Sequence, residues 1–199
     1  MRNKIKINPD LKMFMIFLIL FIVFEVVFFN SGNPVGRFIM ADIPANTIFP
    51  DLMEKGYSGE ELSKFFIELG ARGRQIYFRN IFLVDIILPV LYALFYLFIL
   101  KFLVVKITKI RQVKYAFITL PVIAALFDYT ENICMLFLIK QFPDINESLI
   151  KISSFATVMK WNILNICFFA GIILLFVYTG LVIFGKIKSR SKNVSEQVV

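Results

Sequence analysis

The chain has 199 residues, 59% of them hydrophobic and 24 of them phenylalanine, with a mean hydropathy of +0.78. Soluble domains run nearer about 45–50% apolar, so this composition excludes an ordinary soluble domain and identifies a membrane protein. Basic residues exceed acidic ones by 22 to 14 and histidine is absent, which removes the usual general base near neutrality and the commonest transition-metal ligand.

A bilayer core needs about 20 apolar residues per helix, and four stretches qualify, near residues 13–29, 81–105, 115–139 and 153–184. The first is longer than a signal-peptide core, is interrupted by Glu25 and is followed by no A-x-A site. It therefore reads as a retained anchor.

Residues 30–80 form a loop broken by Pro34, Pro44 and Pro50 in its first part. Its second part, "SGEELSKFFIELG", places Ser58 and Glu61 in capping-box spacing, and Leu62, Phe65, Phe66 and Leu69 recur at helical spacing. Gly70 is placed to end that helix. The pattern predicts a short amphipathic helix whose apolar stripe lies on the bundle or on the leaflet, as a packing lid or a gate. "ARGRQIY" follows, putting Arg72, Arg74 and Arg79 at headgroup level, to anchor in lipid phosphate or to fold onto acids below.

Each span carries an ionisable group. In the second, Asp85, Pro89, Tyr92 and Tyr96 share one helical stripe. In the third, "FDYTENICMLFLIK" sets Asp128, Glu131 and Asn132 on a stripe with Pro121, Ala124 and Ala125. In the fourth, Ser153, Thr157 and Lys160 align, with Asn162 near Lys160 and Asn165 well round the helix from it. Counting about 1.5 Å per residue, the ionisable groups gather in one half of the bilayer and leave the other half apolar. A carboxylate facing lipid costs several kcal/mol, so these stripes point inward. Four carboxylates share one in-span lysine, which calls for protonation, a bound ion, a cationic ligand or the arginines above. In a purely structural arrangement Lys160 pairs with Asp85 or Asp128. Cys134 and Cys167 lie in apolar runs without CxxC spacing and read as buried free thiols.

The basic excess sorts the loops. Arg2, Lys4, Lys6 and Lys12 face a single acid, Asp10, at the start. Lys101, Lys106, Lys109, Arg111 and Lys114 form an acid-free link, and Lys186, Lys188, Arg190 and Lys192 form an acid-free tail. The loop at 30–80 balances six basic against six acidic residues, and the link at 140–151 balances two against two. The positive-inside rule then places both termini and the middle link in the cytoplasm and the neutral loops outside, with no indication of nucleic-acid binding. The expected fold is all-α, a single transmembrane four-helix bundle with an extracytoplasmic helical cap, multi-pass in the cell membrane.

G-x-x-G-R-x-x-Y at 70–77, D-x-x-x-P-x-x-Y at 85–92 and D-x-x-E-N at 128–132, with Lys160 beyond them, resemble an uncharacterised family of small bacterial four-span membrane proteins. The resemblance runs from the external loop through the fourth span. It implies the four-span fold and directs attention to Arg74, Tyr77, Asp85, Asp128, Glu131, Asn132 and Lys160, but it brings no reaction.

The residues point to an outward-facing polar pocket that binds or translocates a small ligand, an ion or a lipid head group. Asp85, Asp128 and Glu131 supply charge, Asn132 and Tyr92 orientation, and Lys160 with Arg74 the counter-charge. One alternative is an enzyme acting on outer-leaflet lipid with carboxylates as acid and base. Another is a non-catalytic accessory or protective protein whose polar groups only hold the bundle. Oxygen ligands of this kind suit Ca²⁺ or Mg²⁺, and no nucleophile elbow, phosphate loop, HExxH or Cys/His metal spacing is present. A reporter fused after Lys192 or placed near Lys109 is expected to report the cytoplasm, and one near Lys55 the exterior; an external signal at Lys109 would overturn the orientation.

Overall fold

A computed structural model describes residues 8–29, 34–39, 43, 44 and 47–197, the side chains of 186–197 excepted. Arg2, Lys4 and Lys6 lie outside the described residues, as do the side chains of Lys186, Lys188, Arg190 and Lys192. Six α-helices follow in order: α1 Pro9–Phe28, α2 Pro34–Ile39, α3 Gly59–Leu83, α4 Leu88–Ile107, α5 Arg111–Gln141 and α6 Glu147–Gln197, with a 3₁₀ turn at Pro50–Leu52 before α3. The described residues contain no strand, and four helical segments are long and apolar enough to cross a membrane. The architecture is an all-helical membrane bundle.

α4 is the hub. It packs against α1 on one side and against α5 and α6 on the other, and α5 and α6 form a closely packed antiparallel hairpin. Asn8 opens α1 by accepting from the amides of Asp10 (2.9 Å) and Leu11 (3.4 Å), with Pro9 in the first turn. α1 then holds α4 mostly through rings: Phe17 stacks on Phe98 at 5.7 Å, and Phe21 meets Phe95 at 5.3 Å. Lys101 Nζ reaches Asp10 Oδ1 at 2.7 Å and ties the far ends of α1 and α4 together. The other face of α1, including Ile19, Ile22, Val23 and Val26, is exposed as a lipid-facing surface should be.

The second span does not begin as one helix at residue 81. Helical structure runs through α3 to Leu83, is interrupted by a turn at 84–87, and resumes at Leu88. Pro89 explains the break, because it has no N–H to return to the carbonyl of Asp85. Two side chains of α5 take up the carbonyls freed there. Asn132 Nδ2 donates to the Asp85 carbonyl at 3.2 Å, and the Tyr129 hydroxyl donates to the Ile86 carbonyl at 2.7 Å.

The cap is built as its sequence suggests, with one extension. Ser58 and Glu61 form the reciprocal capping box, and Ser58's amide and hydroxyl hold the Glu61 carboxyl below its ordinary value. Gly70 interrupts α3 with φ +63°, a left-handed conformation that favours glycine. The helix then restarts, so "ARGRQIY" is helical and not a loop into the second span. Arg74 Nη1 donates to the Phe66 carbonyl at 2.7 Å, just before the break, and its guanidinium lies 4.5 Å from the Phe142 ring centre. Arg79 donates to the Phe38 carbonyl and Asn80 Nδ2 to the Ile39 carbonyl, docking the end of α2.

Leu62, Phe65, Phe66 and Leu69 all face inward, with Phe66 completely buried. They meet Tyr57, Met135, Leu138 and Ile150, so the ends of α5 and α6 support the cap through a hydrophobic core of its own. The approach to the cap is clamped at Gly56 and Tyr57. Ser154 Oγ accepts from the Tyr57 amide at 2.8 Å, and the Tyr57 hydroxyl meets Ser153 Oγ at 2.7 Å. A Cβ at Gly56 would lie 2.6 Å from Ser154 Oγ, on a backbone with φ +83°. Replacing Phe65 and Phe66 together with Ser removes about 3–6 kcal/mol of burial. The expected result is rapid proteolysis within 59–83 while the α4–α6 spans stay intact; unchanged protection would mean that the stripe contributes nothing.

Candidate functional site

Among the described residues Lys160 carries the one in-span ammonium beside the acids, and its partners are specific. Its Nζ lies 2.7 Å from Glu131 Oε2 and 3.5 Å from Asp128 Oδ1. Of the two pairings expected, with Asp85 or with Asp128, the structure makes the one with Asp128, and it adds Glu131, one turn beyond Asp128 on the same face of α5. All three side chains are buried, Glu131 to 1% and Lys160 to 4% exposure. Asp128 is further held by the Tyr92 hydroxyl at 2.9 Å and by Asn132 Nδ2 at 3.3 Å. Glu131 has less support: Thr157 is its nearest hydroxyl and makes no well-formed hydrogen bond to it, so the ion pair to Lys160 is its principal stabilising contact.

The sequence stripes lead into this network directly. On α5, Pro121, Ala124, Ala125, Asp128, Glu131 and Asn132 are all buried, the alanines allowing neighbouring helices close. On α6, Ser153, Thr157 and Lys160 are buried beneath the Tyr57 clamp. Toward the opposite end the core turns apolar, with Ala93, Leu100, Ala124, Ile163 and the free thiol of Cys167 packed together. Cys134 is likewise buried and free.

Beside the triad opens a cavity of about 880 Å³, within the range of about 300–1,000 Å³ usual for small-molecule sites. Tyr77, Asp85, Tyr92, Asp128, Asn132 and Lys160 line it, as does Asn165, which its helical position had set apart from Lys160. Glu131 lies behind the lining. Arg74 is not among the lining residues, because its guanidinium caps the first part of α3; the expected arginine counter-charge is absent. Arg79 is likewise committed to α2.

Two further members come from outside the expected set. Asp51, from the 3₁₀ turn, reaches the cavity from the cap loop, and Trp161 anchors that turn by donating from Nε1 to the Asp51 carbonyl at 2.7 Å. Burial pushes the Asp51 carboxyl above its ordinary value, and the charge of Lys160 pulls it part of the way back. Glu25 lines the cavity from α1. Asp51 was masked by its place in a proline-broken loop; the only local signal was a proline–aspartate pair within an otherwise apolar "IFPDLM".

The acids thus divide into two sets. Asp128 and Glu131 share the single positive charge of Lys160, whereas no ion pair reaches Asp51, Asp85 or Glu25 among the described residues. Among the described residues no three Asp, Glu, Cys or His side chains converge closely enough to hold a metal ion. The acids that could offer oxygen ligands to Ca²⁺ or Mg²⁺ are instead spread around the cavity wall. Comparison with family models, with curated proteins and with solved structures gives no match to this chain.

Lys160→Met leaves two buried carboxylates without their cation and is expected to destabilise the bundle by about 3–5 kcal/mol. Adding Glu131→Gln to Lys160→Met should recover a large part of that loss in detergent thermal unfolding. Equal stability of wild type and the single Lys160→Met variant would remove the triad from the account.

Proposed function

We propose that this chain is a membrane binding protein for a cationic ligand, an ion, a small molecule or a lipid head group, held in the cap-end cavity and either retained or passed across the bilayer. The carrying observation is the mismatch of charge around that cavity. Lys160 is already engaged by Asp128 and Glu131, while Asp51, Asp85 and Glu25 line the same space without a cation. Ionised groups at such depth are costly unless paired, and a cation entering the cavity supplies the missing partner. The basic link and tail support an orientation in which the cavity faces away from the cytoplasm. Of the three sequence motifs, D-x-x-x-P-x-x-Y and D-x-x-E-N meet beside the triad, and G-x-x-G-R-x-x-Y contributes Tyr77 to the cavity.

The enzyme alternative requires an acid and a base free to exchange protons. Asp128 and Glu131 both lean on Lys160, which argues against them as that pair. The accessory reading fits the triad well but leaves the cavity and its second set of acids unexplained.

Thermal unfolding in neutral detergent, with a panel of cations from Na⁺ and Mg²⁺ to tetramethylammonium and dodecylamine, tests the proposal. At least one cation at about tenfold its Kd should stabilise the wild type by about 1.4 kcal/mol. The Asp51→Asn, Asp85→Asn double variant should fold normally and lose that response. A wild type indifferent to every cation, or a double variant that responds as the wild type does, overturns it.

A further inference from the structure

The charged groups of the cavity are joined by an apolar wall. Phe21 of α1, Phe29 just past its end, Leu88 and Phe95 of α4, and Leu164 and Phe168 of α6 contribute to it. α1 and α6 each pack extensively on α4, with no comparable packing between α1 and α6 among the described residues, and both line the cavity over α4. Of these lining residues, Phe29 and Phe168 are both substantially exposed on the lipid-facing surface. The cavity therefore meets the membrane sideways, with its acids at the cap end and its apolar walls running toward the bilayer interior.

The polar end has the chemistry of an ammonium site. Tyr77, Tyr92 and Trp161 stand with Asp51 and Asp85 around one space, a combination of rings and carboxylates that suits alkylammonium groups through both charge and ring quadrupole. Tyr77, 5% exposed and packed on Phe49 and Phe65, brings its ring to the same lining. A phosphate-bearing head would meet three carboxylates and a lysine already engaged, so an anionic group is disfavoured.

Resting on the proposed binding role, we propose that the ligand is a cationic amphiphile. Its ammonium head lies among Asp51, Asp85 and Tyr77, and its alkyl chain leaves between α1 and α6 into the lipid. The chain contributes affinity by burial against Phe95, Leu164 and Phe168, at about 0.8 kcal/mol per CH₂ group removed from water.

Trp161 is the single tryptophan of the chain and lines the cavity, so its fluorescence reports occupancy. The full-length protein in maltoside micelles is titrated with 12-bromododecylamine, whose bromine-bearing chain quenches on contact, and with the sulfonate of the same chain. The amine is expected to quench saturably and at least tenfold more tightly than the sulfonate. Asp51→Asn with Asp85→Asn should weaken the amine at least tenfold. Asn165→Lys, at an exposed lining position that carries no folding role, should weaken the amine and strengthen the sulfonate. Tetramethylammonium, a charge without a chain, should compete only at a concentration at least a hundredfold higher. Competition at equal concentration overturns the amphiphile assignment while leaving cation binding intact. Equal quenching by amine and sulfonate, quenching unaffected by all the substitutions, or no saturable quenching by the amine overturns the amphiphile assignment, and loss of every cation response in thermal unfolding overturns the binding role beneath it.

Discussion

Three charges buried between two helices set the terms for the rest of the bundle. Lys160 of α6 meets Glu131 and Asp128 of α5, and a carboxylate that rotated away would itself be left uncompensated in a low-dielectric interior. That requirement fixes the rotation and the register of α5 against α6. Tyr92, bonded to Asp128, extends it to α4. Ion clusters of this sort add little net stability compared with a well-packed apolar core. What they contribute is selectivity, because a helix displaced by one residue would carry a charge into lipid. The aromatic contacts between α1 and α4 impose no comparable exactness, being ring faces that tolerate sliding.

The segment "DYTEN" is accounted for residue by residue. Asp128 receives Tyr92, Tyr129 reaches the Ile86 carbonyl, Thr130 returns its hydroxyl to Leu126 one turn back, Glu131 engages Lys160, and Asn132 serves both Asp128 and the Asp85 carbonyl. Asp85, Pro89 and Tyr92 form the complementary half. The proline breaks the backbone, the aspartate's carbonyl is freed there, and the tyrosine closes on α5. Two motifs 43 residues apart by their first members thus describe one junction. They carry polar groups for the same physical reason, since a broken helix within a bilayer must have its backbone satisfied by neighbouring side chains.

Periodicity made much of this legible. Burial of the α5 stripe, the capping box at Ser58 and the inward set Leu62, Phe65, Phe66 and Leu69 all follow from spacing that a helix imposes whatever its surroundings. Pairing was less accessible. Spacing places Asp85, Asp128 and Glu131 on inward faces but does not give the relative heights of separate helices, so neither the choice of Asp128 over Asp85 by Lys160 nor the addition of Glu131 had a one-dimensional signal. Arg74 shows the same limit: an arginine above a cluster of acids suggests counter-charge, yet the carbonyl released by the break at Gly70 lies nearer. Asp51 was hidden for another reason, because a loop acid returns to the bundle through the tertiary path of its chain, which periodicity does not encode.

The placement of opposite charges on adjacent helices bears on how the chain enters its membrane. α5 has the lowest mean hydropathy of the four candidate spans, 1.7 against 2.5 or more for the others, because Asp128 and Glu131 lie in its path. Alone in the bilayer it would have to carry those acids uncompensated. The neutralising lysine is on the very next helix, beyond a connection of only five residues, 142–146. Synthesis therefore delivers the acids and their cation in immediate succession, which favours insertion of the two segments together as a preformed helical hairpin over their partitioning one at a time.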